Sequence, residues 1–235
     1  MTTFDNDAYK DVNFKKVYNT ANELLISAHS ITDFPFVVKD FVYSQSDIRL
    51  CSFRKAQEKY GVTIQSFGSD SAVLQEMFGA YIIFFDQDEK ATRVRFSLLH
   101  EFGHYALKHK MNLTEKDKLY HTQELEANCF AAQLLMPEQI LRECINRNKK
   151  ITTSFLQDNF GVSFEAADKR KKTLANTSIE WRSRAERDFD ELILLKYADA
   201  LNRIAPKPIS FYNLEDDYEK QRERDTWLDT RSRWT

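Results

Sequence analysis

The segment His100-Glu101-Phe102-Gly103-His104 constrains this chain more than any other, because it carries two imidazoles and a carboxylate at the spacing that builds a hydrolytic zinc site on a helix. A helix advances about 100° per residue, so His100 and His104 lie one turn apart on one face and can aim ring nitrogens at one ion. Glu101 sits beside that face. It is placed to bond an attacking water without ligating the metal, as the general base of a zinc peptidase must.

An H-E-x-x-H string arises by chance in roughly one chain in a hundred of this length, so its surroundings decide. Val94, Leu98, Phe102 and Tyr105 recur at helical spacing and predict a buried stripe. Thr92 is the expected N-cap. Lys108, His109 and Lys110 put positive charge in the expected last turn, where it opposes the helix dipole. Gly103 inside a helix costs about 1 kcal/mol against Ala, which marks a place where another backbone comes close.

A hydrolytic zinc takes a third protein ligand and leaves a position open for water. The run from Gln123 to Pro137 predicts a second helix, with Ala127, Ala131 and Ala132 allowing close approach. Glu124 and Asn128 are four apart on one face, so one can bind the metal while the other hydrogen-bonds a ligand histidine. Glu124 is the candidate ligand. Glu126 points away from Ala131's side of the helix and reads as a solvated charge.

The string from Arg95 to His104, followed by Glu124 to Ala132 and Leu134-Leu135-Met136-Pro137, resembles the ImmA/IrrE family of zinc peptidases. The resemblance extends to the strand Gly79 to Phe85 and the turn Phe160-Gly161-Val162-Ser163, covering residues 40 to 175 or so. It implies a minimal gluzincin, with His100, His104 and Glu124 as zinc ligands and Glu101 as the catalytic residue. It also implies a substrate class, since such proteins commonly cleave a helix-turn-helix repressor encoded with them. Ser97 and Leu99 stand where the family more often has Thr and Ala, and neither change touches a ligand.

Net charge is −2 over 235 residues, which gives no general pull toward nucleic acid or acidic lipid. Three cysteines, Cys51, Cys129 and Cys144, have no C-x-x-C spacing, so neither a disulfide framework nor a zinc ribbon is indicated. Cys129 and Cys144 read as small buried residues. No apolar run reaches the length of a membrane span and the N-terminus is not a signal peptide, so a cytoplasmic, bacterial or phage-type protein without a membrane partner is expected.

Along the chain, residues 8 to 30 read as a helix. Strands are expected at Ile48 to Phe53, Val62 to Phe67 and Gly79 to Phe85, the last either a core strand or a sheet edge that holds substrate backbone. Pro137-Glu138 ends one helix and opens the next. Residues 151 to 174 resemble a helix-turn-helix, with Ser163 capping its second helix. Lys169-Arg170-Lys171-Lys172 there could meet phosphates, but four charges in a row cover all faces and none stands out as a base reader; DNA binding is therefore not favoured over packing on the peptidase. Residues 178 to 204 are amphipathic through Ile179, Phe189, Leu192, Ile193 and Leu195, and residues 215 to 228 are highly charged.

The fold class expected is α+β: a zincin-like peptidase domain with a small mixed sheet and a metal-binding helix pair, plus a helical C-terminal extension. The divisions read from the sequence are 1–137 for the peptidase, 138–176 for a helical appendage and 177–235 for the charged extension. The function expected is a Zn2+-dependent endopeptidase acting on a specific regulatory protein. The alternative is a metal-containing transcriptional regulator or protein-binding module with little proteolysis. For the oxyanion, Tyr105, Tyr120 and His121 are the nearby candidates.

Overall fold

The computed structural model describes residues 10–63, 66, 69, 71–77, 79–111, 113–176, 183–207, 218–219 and 221–225. Helix α1 (Phe14–Ser27) is entered through Asn13, whose side chain accepts a bond from Lys16 N–H. A short helix α2 (Val38–Tyr43) leads to strand β1 (Ile48–Ser52) and helix α3 (Phe53–Tyr60). Strands β2 (Ala72–Met77) and β3 (Ala80–Phe85) follow.

These strands form a three-stranded sheet in the order β1-β3-β2, with β1 parallel and β2 antiparallel to β3. Side chains alternate across β3 with period two. Ile83 and Phe85 join the main core, whereas Phe84 packs with Phe53 and Ala56 of α3 on the opposite face. Because β3 is the central strand, it is not the sheet edge, and β2 takes that place. The strand expected at Val62 to Phe67 is corrected to Ala72–Met77; Val62 instead packs against the small cluster under α3, and residues 64, 65 and 67 lie outside the described residues. The pairing is a local antiparallel hairpin, with Met77 opposite Ala80 and Gly79 at φ 74° in the turn, so β3 takes as partner the segment just before it and apolar content at 62–67 was a poor guide.

The two predicted metal helices are present as α4 (Ala91–Ala106) and α5 (Lys118–Leu135), packed along one another. Leu98 and Phe102 face the core, with Val94 and Tyr105 partly buried beside them. Lys90, not Thr92, is the N-cap of α4, and no side chain caps it. Gly103 sits where the helices touch: a Cβ there would lie 3.0 Å from Phe130 Cδ1 and 3.4 Å from Ala127 Cα. Phe130 is fully buried and packs on Phe102, so it has little room to yield. Gly103→Val is expected to lower stability by about 2–3 kcal/mol through overpacking, read from the denaturant midpoint; an unchanged midpoint would mean the helices separate freely here.

After α5 come α6 (Glu138–Asn146), α7 (Thr153–Phe160), α8 (Phe164–Asn176), α9 (Arg184–Lys196) and α10 (Ala198–Ile204). Gly161, at φ 61°, turns the chain between α7 and α8, and Ser163 caps α8 through Ala166 N–H. Arg170 does not face solvent with its lysine neighbours. It is buried and donates to Met136 O and Gln133 Oε1, inside a polar network that includes Asn22 and Gln139. Four adjacent charges therefore do not all remain for a partner. Cys144 is buried as expected, and Cys129 is half-buried.

Helices α9 and α10 belong to the main core. Ile193, Tyr197 and Leu201 are buried, whereas Leu192 and Leu195, expected on the apolar face, are exposed. Tyr197 Oη donates to Leu25 O at 2.7 Å, and Lys196 Nζ donates to Leu25 O and Ala28 O at 2.6 and 2.7 Å, closing the C-terminal end of α1. Burial of three such apolar side chains contributes about 1.5–3 kcal/mol each, comparable together with the 5–15 kcal/mol or so of a whole domain. Truncation after Asn176 is thus expected to unfold the protein and not merely to weaken substrate capture, which a thermal melt by circular dichroism would test. A truncated chain melting within a few degrees of the full chain would sink that expectation. Ile179 lies outside the described residues, as do most of residues 215–228. Among the described residues no helix is long and apolar enough to cross a membrane.

Candidate metal centre

Helical spacing in α4 and the close approach at Gly103 bring three side chains together. His100 Nε2 and His104 Nε2 are 3.1 Å apart. Glu124 reaches over from α5, with Oε2 3.2 Å from His100 Nε2 and Oε1 3.3 Å from His104 Nε2. Four ligands about 2.0 Å from a tetrahedral ion are about 3.3 Å from one another, so the three edges have the size such an ion needs. Two imidazoles and a carboxylate also suit a borderline metal in their chemistry. The donor set fits a metal, with Glu124 as the carboxylate and Asn128 as its helical partner: Asn128 Oδ1 lies 3.1 Å from His100 Nδ1 and fixes that ring.

Burial disfavours a charged Glu124, yet its hydrogen bonds to His100 and His104 outweigh that cost and hold the carboxyl well below the usual range. It is therefore ionised and ready to ligate. Glu101 is nearly buried, and burial raises its carboxyl above the usual value against the pull of His100, His104 and the Leu74 N–H. Such a shift moves a carboxylate toward the pKa a general base requires. Glu101 Oε2 accepts from Leu74 N–H at 2.8 Å, which ties this carboxylate to edge strand β2.

Two residues depart from their expected places. Glu126 is buried rather than solvated, because the turn of α5 that carries it packs against the start of α1. Its Oε1 accepts from Asn13 N–H at 2.8 Å, and its Oε2 lies 3.0 Å from His109 Nε2. His109 is not a last-turn charge of α4, which ends at Ala106. Lys108 takes a left-handed φ of 56° and folds His109 back, so that its Nδ1 lies 3.0 Å from His104 Nδ1. Burial, helped by nearby His104 and Lys16, pushes His109 down to about 3, so the ring is neutral. The sequence carried no periodic signal for this pair, since His109 lies past the helix end and Glu126 looks like any helical glutamate.

The site opens into a cleft of about 2050 Å³ lined by Val73 and Leu74 of β2, Phe96 of α4, Tyr120 of α5 and Lys169 of α8, among others. Of the three oxyanion candidates, Tyr120 lines this cleft. Burial and the Glu124 and Glu115 charges raise its phenol, which stays a hydrogen-bond donor. Tyr105 packs edge-on against Tyr81, and His121 Nε2 donates to Glu115 O at 2.8 Å.

The profile of the M78 peptidases, described as the IrrE N-terminal-like domain, matches residues 43–172, more than half of the chain. The chain belongs to this peptidase family. No curated protein matches the chain significantly. Within the M78 match lie the sheet, α4 and α5, and therefore His100, Glu101, His104, Glu124, His109 and Glu126. The M78 assignment agrees with the ImmA/IrrE resemblance read from the sequence and makes the His-His-Glu cluster a candidate centre for metallopeptidase chemistry. Asn13, which closes the far end of the Glu126 contacts, lies outside the M78 match.

Proposed function

We propose that this peptidase is a zinc-dependent endopeptidase with His100, His104 and Glu124 as metal ligands and Glu101 as general base. The observation that carries the reading is the convergence of three ligand atoms within 4.8 Å of one another, with the raised carboxyl of Glu101 next to them. Zinc held there supplies a Lewis acid and makes water a nucleophile at neutral pH. Glu101 takes the proton from the attacking water and passes it to the leaving amine nitrogen, while Leu74 N–H holds its carboxylate in place. Tyr120 donates to the carbonyl oxygen as negative charge develops on it.

The free edge of β2 lies against this helix, so an extended substrate segment adds as a strand and presents its backbone to Glu101. The size of the cleft suits a segment of protein better than a small ligand. The substrate we propose is a specific regulatory protein, such as a helix-turn-helix repressor encoded with this chain, met in the cytoplasm of a bacterium or its phage. Arg170, buried in the fold, is unavailable to phosphates, which weakens the DNA-reading alternative. Incubating the purified zinc-loaded chain with the co-encoded repressor tests the reading: cleavage that stops on chelation is the expected result. Sequence-specific, salt-dependent gel shift of the neighbouring promoter without any cleavage would move the assignment to a regulator.

A further inference from the structure

Beyond the three ligands, a buried chain of polar groups runs from His104 into the start of α1. His104 Nδ1 faces His109 Nδ1 at 3.0 Å, His109 Nε2 faces Glu126 Oε2 at 3.0 Å, and Glu126 Oε1 accepts from Asn13 N–H at 2.8 Å. The His109 and Glu126 side chains are only 3% and 10% exposed. The segment that carries His109 is held on both sides, since His109 N–H donates to His104 O at 3.0 Å and Lys16 Nζ donates to Leu107 O at 2.6 Å. Lys108 gives up its preferred backbone conformation, at φ 56°, to bring the ring there.

We propose that His109 and Glu126 are positioning residues that fix the tautomer and orientation of His104, with the N-terminal segment closing the far end. The inference rests on the metal-site reading above. Its logic starts from the carboxylate, which can only accept hydrogen bonds. His109 therefore donates through Nε2 to Glu126, and of the two Nδ1 atoms that face each other at 3.0 Å one must donate and the other accept; a metal on His104 Nε2 makes His104 Nδ1 the donor and His109 Nδ1 the acceptor. His104 then carries its proton on Nδ1 and donates it to His109, which leaves His104 Nε2 with a free lone pair aimed at Glu124 and His100. A carboxylate behind a ligand histidine also raises that ligand's basicity. Here it acts through an intervening imidazole. The two ligand histidines are thus held differently, His100 by the neutral amide of Asn128 and His104 by a charged relay.

The test is zinc affinity of the full chain, measured by competition with a chromophoric chelator, beside the melting temperature of the metal-free protein. His109→Ala is expected to bind zinc about 10–100-fold more weakly while the metal-free protein melts within a few degrees of wild type. His109→Gln, whose amide can accept from His104 Nδ1–H and donate to Glu126, should recover most of that loss. Glu126→Gln covers the case in which His109→Ala does not fold: it is isosteric, but its amide cannot accept from both Asn13 and His109, and zinc binding should weaken by about 10-fold. Folded His109 and Glu126 variants that bind zinc as tightly as wild type overturn the relay. A wild-type chain that binds no zinc, or a His100→Ala chain that binds it undiminished, overturns the metal-site reading instead.

Discussion

Glu101→Gln is expected to keep the metal and the fold and to lose cleavage activity by about 10²–10⁴-fold, the range for removal of a general base. Glutamine has nearly the volume of glutamate, and its amide oxygen can still accept from Leu74 N–H, so neither packing nor the tie to β2 is lost. What disappears is a group able to take a proton from water. The substitution also removes a nearly buried carboxylate whose charged form burial disfavours, so the metal-free melting temperature should stay level or rise slightly. Metal content, melting temperature and turnover on the cleaved repressor would be measured on the same preparation. Turnover comparable with wild type at full zinc content would remove Glu101 from the mechanism.

Glu124→Ala has the largest expected effect on the metal. Sites of this kind bind zinc with an apparent 10 kcal/mol or more. Shared among three or four ligands, loss of one carboxylate should weaken binding on the order of 10²–10³-fold. Glu124 is unlike an ordinary helical glutamate because its two oxygens meet two different imidazoles, at 3.2 and 3.3 Å. No other carboxylate among the described residues makes up this cluster. The loss should exceed that of any change at Glu126, which reaches the metal only through His109. Measured zinc affinity ordering the other way, with Glu126→Ala binding more weakly than Glu124→Ala, would exchange the two roles.

The helix carrying His100 and His104 was legible because everything that defines it is local. An i, i+4 pair, the apolar stripe of Leu98 and Phe102, and the cost of Gly103 all follow from one element's geometry. The second helix was legible in the same way, as was the shared face that sets Glu124 beside both imidazoles and Asn128 beside His100. Capping was less so: Thr92 has the right chemistry for an N-cap, yet the chain enters α4 at Lys90 with no side-chain cap. Strand β2 was missed although its hairpin with β3 is local, because Ala72 and Glu76 are poor strand formers and the segment shows its strand character only once paired.

Sequence by itself thus located the candidate centre, since His100, Glu101 and His104 sit on one helical turn and Glu124 on a helix with a readable face. Tertiary structure alone decided what stands behind that centre. Glu126 meets Asn13 across 113 positions of chain, and Arg170 meets Gln133 across 37. Whether such charges are solvated or buried depends on which neighbour covers that side of the helix, and periodicity reports only that a face exists. The same reason explains Leu192 and Leu195, which share an apolar pattern with Ile193 yet remain exposed because only the side bearing Ile193 and Tyr197 meets α1 and the core.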